Sequence, residues 1–332
     1  MVFSQLAENV LRLRPALVGL STFIPGLNGL RARVRGTGGS GSARYCYSVW
    51  LRHAVLLARF GARLHGASVA ELGPGDSLGT GLASLLTGAS RYTALDVVKY
   101  AYPKTNHSVL DALVELTGAR ARIPGPDEFP AVEPHLDDYS FPVHLFPDSV
   151  LESAADRVQA LHAALDGADG PLAYSVPWYT HDSLAPESVD IIISQAVLQS
   201  VNDLPGTYEA MYTCLKPGGM MSHSIDFGSL SIASTWDGHR AWGDAWWSII
   251  KGRRPHSLNR LTLSAHLALL NECGFETLHV QRVEDTPSLQ RHLLAKRFRS
   301  LDDTDLATRV AVIVARKPAG PVPISRRTSS DS

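Results

Sequence analysis

One junction constrains this chain more than any other. An apolar stretch from Ser68 to Leu72 runs into Gly73-Pro74-Gly75-Asp76-Ser77, and a helical pattern starts at Leu78. An acid, Glu71, stands two residues before the first glycine. Glycines in such a turn let the backbone bend tightly and approach a ligand with no Cβ in between. A strand, a glycine turn and a helix in that order predict the first unit of a parallel sheet, whose strands bind ligands at their carboxyl ends.

The rest of the chain supports this. Strands are expected at 92–96, 172–176, 189–194, 220–226, 276–283 and 309–315, with helices at 78–86, 108–116, 151–165, 205–215, 263–273 and 289–298. The run Val189-Asp190-Ile191-Ile192-Ile193-Ser194 is β-branched and almost continuously apolar, as a strand buried on both faces requires. With Ser68–Leu72 that makes seven strands alternating with helices, an α/β doubly wound and mostly parallel sheet. Residues 1–66 read as a helical N-terminal extension, broken by a Gly/Ser run at 36–42, and residues 67–316 as the sheet domain. Two stretches of weak periodicity, about 119–150 and 228–258, are expected as insertions, and the Pro/Ser/Arg-rich tail 317–332 as disordered.

Bulk properties narrow the function. Of 332 residues, Lys and Arg number 31 against 32 Asp and Glu, a net charge of −1 that offers no basic footprint for nucleic acid. Cys46, Cys214 and Cys273 are far apart and form no metal-type pair, which predicts no metal site and fits a reducing cytoplasm. The apolar stretch 17–30 is too short and too broken by Pro25 and glycines to span a bilayer. The first 35 residues carry several arginines and one acid, as a targeting segment can, but no small-residue cleavage site.

The loop discriminates between ligands. A dinucleotide site offers a helix N-terminus to a pyrophosphate. Glu71 and Asp76 would repel that group and suit a ligand carrying an ammonium and a sulfonium. Asp96, ending the second strand, lies 21 residues beyond Gly75, where an acid can accept hydrogen bonds from ribose hydroxyls.

With these residues the chain resembles the class I S-adenosylmethionine methyltransferases, over about residues 66–226. The resemblance implies a Rossmann-like fold and S-adenosylmethionine as cofactor. It implies that Glu71 orients the methionine end and that Asp96 holds the ribose. The loop Gly73, Pro74, Gly75, Asp76 and Ser77 would line the cofactor. The stretch 188–201 resembles the family's fourth strand and following loop, which brings Gln195 to the cofactor, and Lys216-Pro217-Gly218-Gly219 resembles the entry to its fifth strand. Two departures stand out: Ser77 replaces a common third glycine, and Gln199-Ser200 replaces a common Glu-His. Motifs at 36–39, 42–53, 222–227 and 252–260 further resemble a bacterial subgroup tied to polysaccharide and secondary-metabolite gene clusters.

Methyl transfer to a hydroxyl needs a base and alignment away from water. His223 and Asp226 near the end of the fifth strand, and His239 in the second insertion, are the candidates, each against a plain packing or loop role. Tyr45, with Arg44, Tyr47 and Trp50, precedes the core; an N-terminal segment closing over the cofactor would bring Tyr45 onto it, whereas simple packing would not. Trp236, Trp242, Trp246 and Trp247 are either an acceptor wall or core, and the i, i+4 spacing of Trp242 and Trp246 favours core. Arg253, Arg254 and Arg260 suit an anionic acceptor or a solvated face.

The favoured function is methylation, at oxygen, of a small molecule or glycan. The alternatives are a nicotinamide-dependent oxidoreductase on the same fold and a non-catalytic S-adenosylmethionine-binding protein. A nucleic-acid methyltransferase would want an Asn/Asp-Pro-Pro-aromatic motif where Ser194-Gln195-Ala196-Val197 stands. Oligomeric state has no signature here.

Overall fold

A computed structural model describes residues 14–23, 39–178, 184–254 and 257–320. The expectations for Gly36-Thr37-Gly38, for Pro255 and for the tail beyond Gly320 fall outside these residues. The strands are β1 (Ser68–Leu72), β2 (Arg91–Leu95), β3 (Leu172–Ser175), β4 (Val189–Gln195), β5 (Leu215–Asp226), β6 (Glu276–Glu284) and β7 (Thr308–Arg316). They form one sheet in the order β3-β2-β1-β4-β5-β7-β6. β1 to β5 pair in parallel, and β7 runs antiparallel between β5 and β6. This is the expected mostly parallel seven-stranded sheet. Its order reverses between β1 and β4, the switch point at which open α/β sheets bind ligands.

The helices are α1 (Ala43–Arg59), α2 (Gly79–Leu86), α3 (Pro103–Gly118), α4 (Asp148–Ala155), α5 (Val158–Leu165), α6 (Leu204–Cys214), α7 (Asp244–Lys251), α8 (Leu263–Glu272) and α9 (Asp303–Ala307). β4 explains why two layers form. Ile191 and Ile193 join a core with α1, α2 and α3, while Val189 and Ile192 join a second core with α6 and α8. The alternation of a strand thus feeds both faces of the sheet.

Four expectations shift. β5 begins five residues early, so Lys216-Pro217-Gly218-Gly219 lies within the strand; a register shift between Val189↔Leu215 and Ile191↔Met220 absorbs the extra residues. The single helix expected at 151–165 is two, α4 and α5, and Arg157 at the break reaches the carbonyls of Leu85 and Ala89 at 3.5 and 3.4 Å. The helix expected at 289–298 is two 3₁₀ turns, Arg291–Leu293 and Lys296–Phe298. Arg291 and Arg299 there bind local carbonyls, and Leu294, Phe298 and Leu306 form a small core of their own. Lys317, expected in the tail, is buried; its ammonium donates to the Leu215 carbonyl at 2.9 Å.

α1 does more than cover the sheet. Ser42 caps it by accepting the Tyr45 N–H, and the helix buries Tyr47, Ser48, Trp50, Leu51, Arg52 and His53. Tyr47 donates to the Ala121 carbonyl and Ser48 to that of Pro124. Arg52 donates to the carbonyls of Val132 and Pro124 and lies 5.2 Å from the Tyr139 ring centroid. Residues 119–147, which form neither helix nor strand, are thereby tied to α1. Among the described residues no helix is long and apolar enough to cross a membrane, and no group of His, Cys, Asp or Glu is arranged to hold a metal.

Candidate functional site

Glu71 is the penultimate residue of β1, with its side chain buried. The Tyr92 hydroxyl on neighbouring β2 donates to Glu71 Oε2 at 2.6 Å. Burial pushes the Glu71 carboxyl up to about 7, against hydrogen bonds from Tyr92 and Thr80 that lower it and the nearby Asp96 charge that raises it. Tyr92 reaches this position because α2 has glycine at 81; a Cβ there would fall inside the Tyr92 ring.

The loop itself is held from several sides. Gly73 donates its N–H to the Leu95 carbonyl at 2.8 Å and has φ 64°, and Gly75 has φ 75°. A Cβ on Gly73 would also lie 2.7 Å from Val197 Cγ2, so the turn after β1 needs glycine on both counts. Asp76 N–H donates to Ser40 Oγ at 2.7 Å, and Ser77 donates its hydroxyl to the Ser40 carbonyl. Leu78 N–H donates to Asn106 Oδ1 at 2.8 Å. Ser77 is buried; its Oγ also accepts the Gly79 N–H at 3.1 Å, so the residue standing where a third glycine is common ties the helix start to the segment before α1.

Asp96 follows β2 and is nearly buried, accepting the Val97 N–H at 2.7 Å. Burial pushes its carboxyl up to about 6, opposed by backbone hydrogen bonds from Val98, Val97 and Gly75. Its backbone is fixed by Ser175 and Trp178, with Asp96 N–H donating to the first carbonyl and the Trp178 N–H donating to the Asp96 carbonyl. Neither Glu71 nor Asp96 forms an ion pair with a cationic side chain among the described residues. Two buried carboxylates without a protein cation suit a cationic ligand, and the site therefore fits S-adenosylmethionine.

Tyr45, at the start of α1, packs edge-on to Phe129 with centroids 5.6 Å apart and lies against Gly39. It is half-buried, burial raises its hydroxyl above the usual phenol range, and Glu71 and Cys46 add to that rise. Arg44, by contrast, points outward to Glu128. Gln195 ends β4, adjacent to the Glu71 strand, with Leu72 in register with Ser194. Its Oε1 lies 3.1 Å from His53 Nε2.

The base candidates separate. Asp226 ends β5 two residues beyond the Gln195↔Ser224 pair, half-buried, with Oδ1 accepting the Gly228 N–H at 2.7 Å. Burial raises its carboxyl. His223 and His239 do not join it. The His223 ring lies on the α6/α8 face, 2.8 Å from Ser194 Oγ through Nδ1, and burial pushes it down to about 3. His239 is buried beside Arg240 and Arg260 and is also pushed down to about 3, by burial first and those cations second. Both rings are packed neutral groups.

Arg260 is buried. It donates to the Trp242 carbonyl at 2.6 Å and to Asp244, and stacks over Trp247 at 4.7 Å. Burial lowers it to about 10. Trp247 is core and Trp242 stacks on it at 6.0 Å, so this part of 228–258 is a packed cluster. Arg253 lies over Phe23 at 4.9 Å and Arg254 donates to the Ile250 carbonyl.

Sequence reasoning missed four residues that the fold brings to this place. They are Tyr92 and Thr80 on Glu71, His53 on Gln195, and Tyr100, whose hydroxyl is raised by burial and by the charges of Asp96 and Asp76. Only Gly81 signalled any of them, as a glycine inside a helix that needs a reason.

A methyltransferase-domain family model matches residues 149–222, which include β3, β4 with Gln195, and β5 as far as Ser222. No curated protein matches the chain in sequence. Solved structures match at fold level. An S-adenosylmethionine-dependent methyltransferase from Mesorhizobium loti is 16% identical, with 79% of this chain and 96% of that one covered and a TM-score of 0.41. One from Methanosarcina mazei is 15% identical, with coverages of 80% and 98% and a TM-score of 0.41. The phosphoethanolamine N-methyltransferase 2 of Haemonchus contortus, in complex with S-adenosyl-L-methionine, is 14% identical, with coverages of 81% and 53% and a TM-score of 0.41. Such identities bear on no substrate. Over β3 to β5 the chain is similar to methyltransferase domains, and the strand order and the acids near the ends of β1 and β2 stand beside that likeness.

Proposed function

We propose that this enzyme methylates a hydroxyl of a small molecule or glycan, with Asp226 as the base. S-adenosylmethionine supplies the methyl group on a sulfonium. Glu71 takes the ammonium end, Asp96 accepts from the ribose hydroxyls, and Gly73, Pro74, Gly75, Asp76 and Ser77 form the floor. Gln195 and Tyr45 complete the cofactor wall, Tyr45 from above. Asp226 would accept the proton that the acceptor hydroxyl gives up as its oxygen is methylated, and the walls around it would hold that oxygen in place and keep water out. The single observation behind this reading is the set of three carboxyls at the ends of β1, β2 and β5, each raised by burial. A carboxylate with a raised pKa is a better base near neutrality. His223 and His239 were the other base candidates; their burial favours Asp226.

The net charge of −1 supports an acceptor other than nucleic acid, and free Cys46, Cys214 and Cys273 support a cytoplasmic setting. The bacterial polysaccharide or secondary-metabolite setting rests on the sequence resemblance and directs the choice of acceptors. The test is calorimetry with S-adenosylmethionine and with NAD, followed by labelled-methyl transfer to hydroxylated sugars and aglycones. Heat from S-adenosylmethionine and an O-methyl product are expected. Heat from NAD alone would overturn the cofactor reading; cofactor binding with an N-methyl product would overturn the acceptor reading.

A further inference from the structure

We propose that His53 is a positioning residue which turns the Gln195 amide so that its NH2 group faces the ligand. The inference rests on the cofactor reading of Gln195. His53 sits in the middle of α1, fully buried, and crosses to two strands at once: Nδ1 lies 2.7 Å from Ser222 Oγ on β5 and Nε2 lies 3.1 Å from Gln195 Oε1 on β4.

Donor chemistry fixes the direction of this chain. A carbonyl oxygen only accepts, so His53 Nε2 carries the hydrogen. Burial holds the ring neutral, pushing it down to about 4, so Nδ1 has no hydrogen and accepts from the Ser222 hydroxyl. Ser222 therefore donates to His53, and His53 donates to Gln195. The amide oxygen is engaged on the protein side, and the amide nitrogen is left with two donors. That nitrogen has no hydrogen-bond partner among the described residues, yet it is not among the buried unpartnered atoms, so it meets solvent at the end of β4. Without His53 nothing distinguishes the two ends of the amide, and half of its orientations would present an acceptor beside Glu71, where acceptors already abound. A donor at this place complements the one anionic group of the cofactor, its carboxylate.

The test is calorimetric binding of S-adenosylhomocysteine to the full chain in a double-mutant cycle. His53→Leu is expected to weaken binding about tenfold in the native background. In Gln195→Ala it should change binding less than about twofold, because no amide is left to orient. His53→Gln, which restores a donor, should come within about threefold of the native chain. Ser222→Ala removes only the group that fixes the tautomer, and should give a smaller loss that also vanishes in Gln195→Ala; it carries the test if His53→Leu does not fold. Equal losses in both backgrounds, or no loss in a folded His53→Leu chain, would overturn the proposal. Failure of the native chain to bind S-adenosylhomocysteine would instead overturn the reading of the site.

Discussion

Tyr92 and Glu71 meet across two parallel strands, with the phenol hydroxyl donating at 2.6 Å to a buried carboxylate. The bond favours the ionised acid, which burial alone would keep protonated at neutral pH. Tyr92→Phe should therefore raise the Glu71 pKa further. S-adenosylmethionine binding should weaken by about 1–2 kcal/mol at pH 7, the cost of an unmade bond to a charged group. The loss should shrink at pH 9, where Glu71 ionises regardless. Titration calorimetry at both pH values checks this.

Asp96→Ala should weaken cofactor binding by about 1–3 kcal/mol, through ligand hydroxyls left unpaired and a lost charged acceptor. A folded Asp96→Ala chain with native affinity would show that Asp96 is not the ribose partner.

Cofactor affinity should climb with pH between 5 and 8. In the ligand-free protein Glu71 and Asp96 lose their protons near 7 and 6, and a cationic ligand needs both ionised. Each proton released contributes a tenfold change per pH unit below its pKa. S-adenosylhomocysteine, which keeps both the ammonium and the ribose hydroxyls, should follow the same curve.

Stability without ligand should fall on the acid side. His53, His223, His239 and His266 are buried and pushed down to between about 3 and 4, whereas an unfolded chain protonates histidine near 6.5. Unfolding therefore takes up protons over that window, and stability is lost as pH drops through it. The raised carboxyls of Glu71 and Asp96 act in the opposite sense, because the folded state holds their protons longer. Asp226 and Glu133 are also raised by burial and offset part of the histidine effect, so the four rings leave a net loss of stability as pH falls toward 5. Denaturant midpoints at pH 7, 6 and 5 check it; a flat profile would mean that the four rings are not buried together in the folded chain.

Much of the fold was legible because it is written in local pattern. The β-branched run 189–194, the glycine turn after Glu71 and the helix stop near Cys214 are read within windows of ten residues. β5 was misplaced at its start because Pro217 and Gly218 are loop residues by composition, and only pairing with β4 shows that a strand can absorb them in a register shift. The turns at 291–298 misled for a related reason: Leu294 and Phe298 have helical spacing, but their arginines satisfy carbonyls that a helix would have satisfied itself. For the site, acids at strand ends carry a local signal. Tyr92 and His53 carry none, since their importance lies in partners 21 and 142 residues away. His223 and His239 looked chemical from their neighbourhood in sequence, and packing, which sequence does not display, buried them.

Helix α1 touches the floor of the cofactor loop through Cys46 and Ser77, the end of β4 through His53, and the irregular segment 121–132 through Tyr47, Ser48 and Arg52. A chain trimmed to begin at β1 would thus not be a minimal enzyme with its cover removed. It would lack the pillar on which the loop after β1 and the end of β4 both rest, so α1 is a founding part of the candidate site and not an accessory to it.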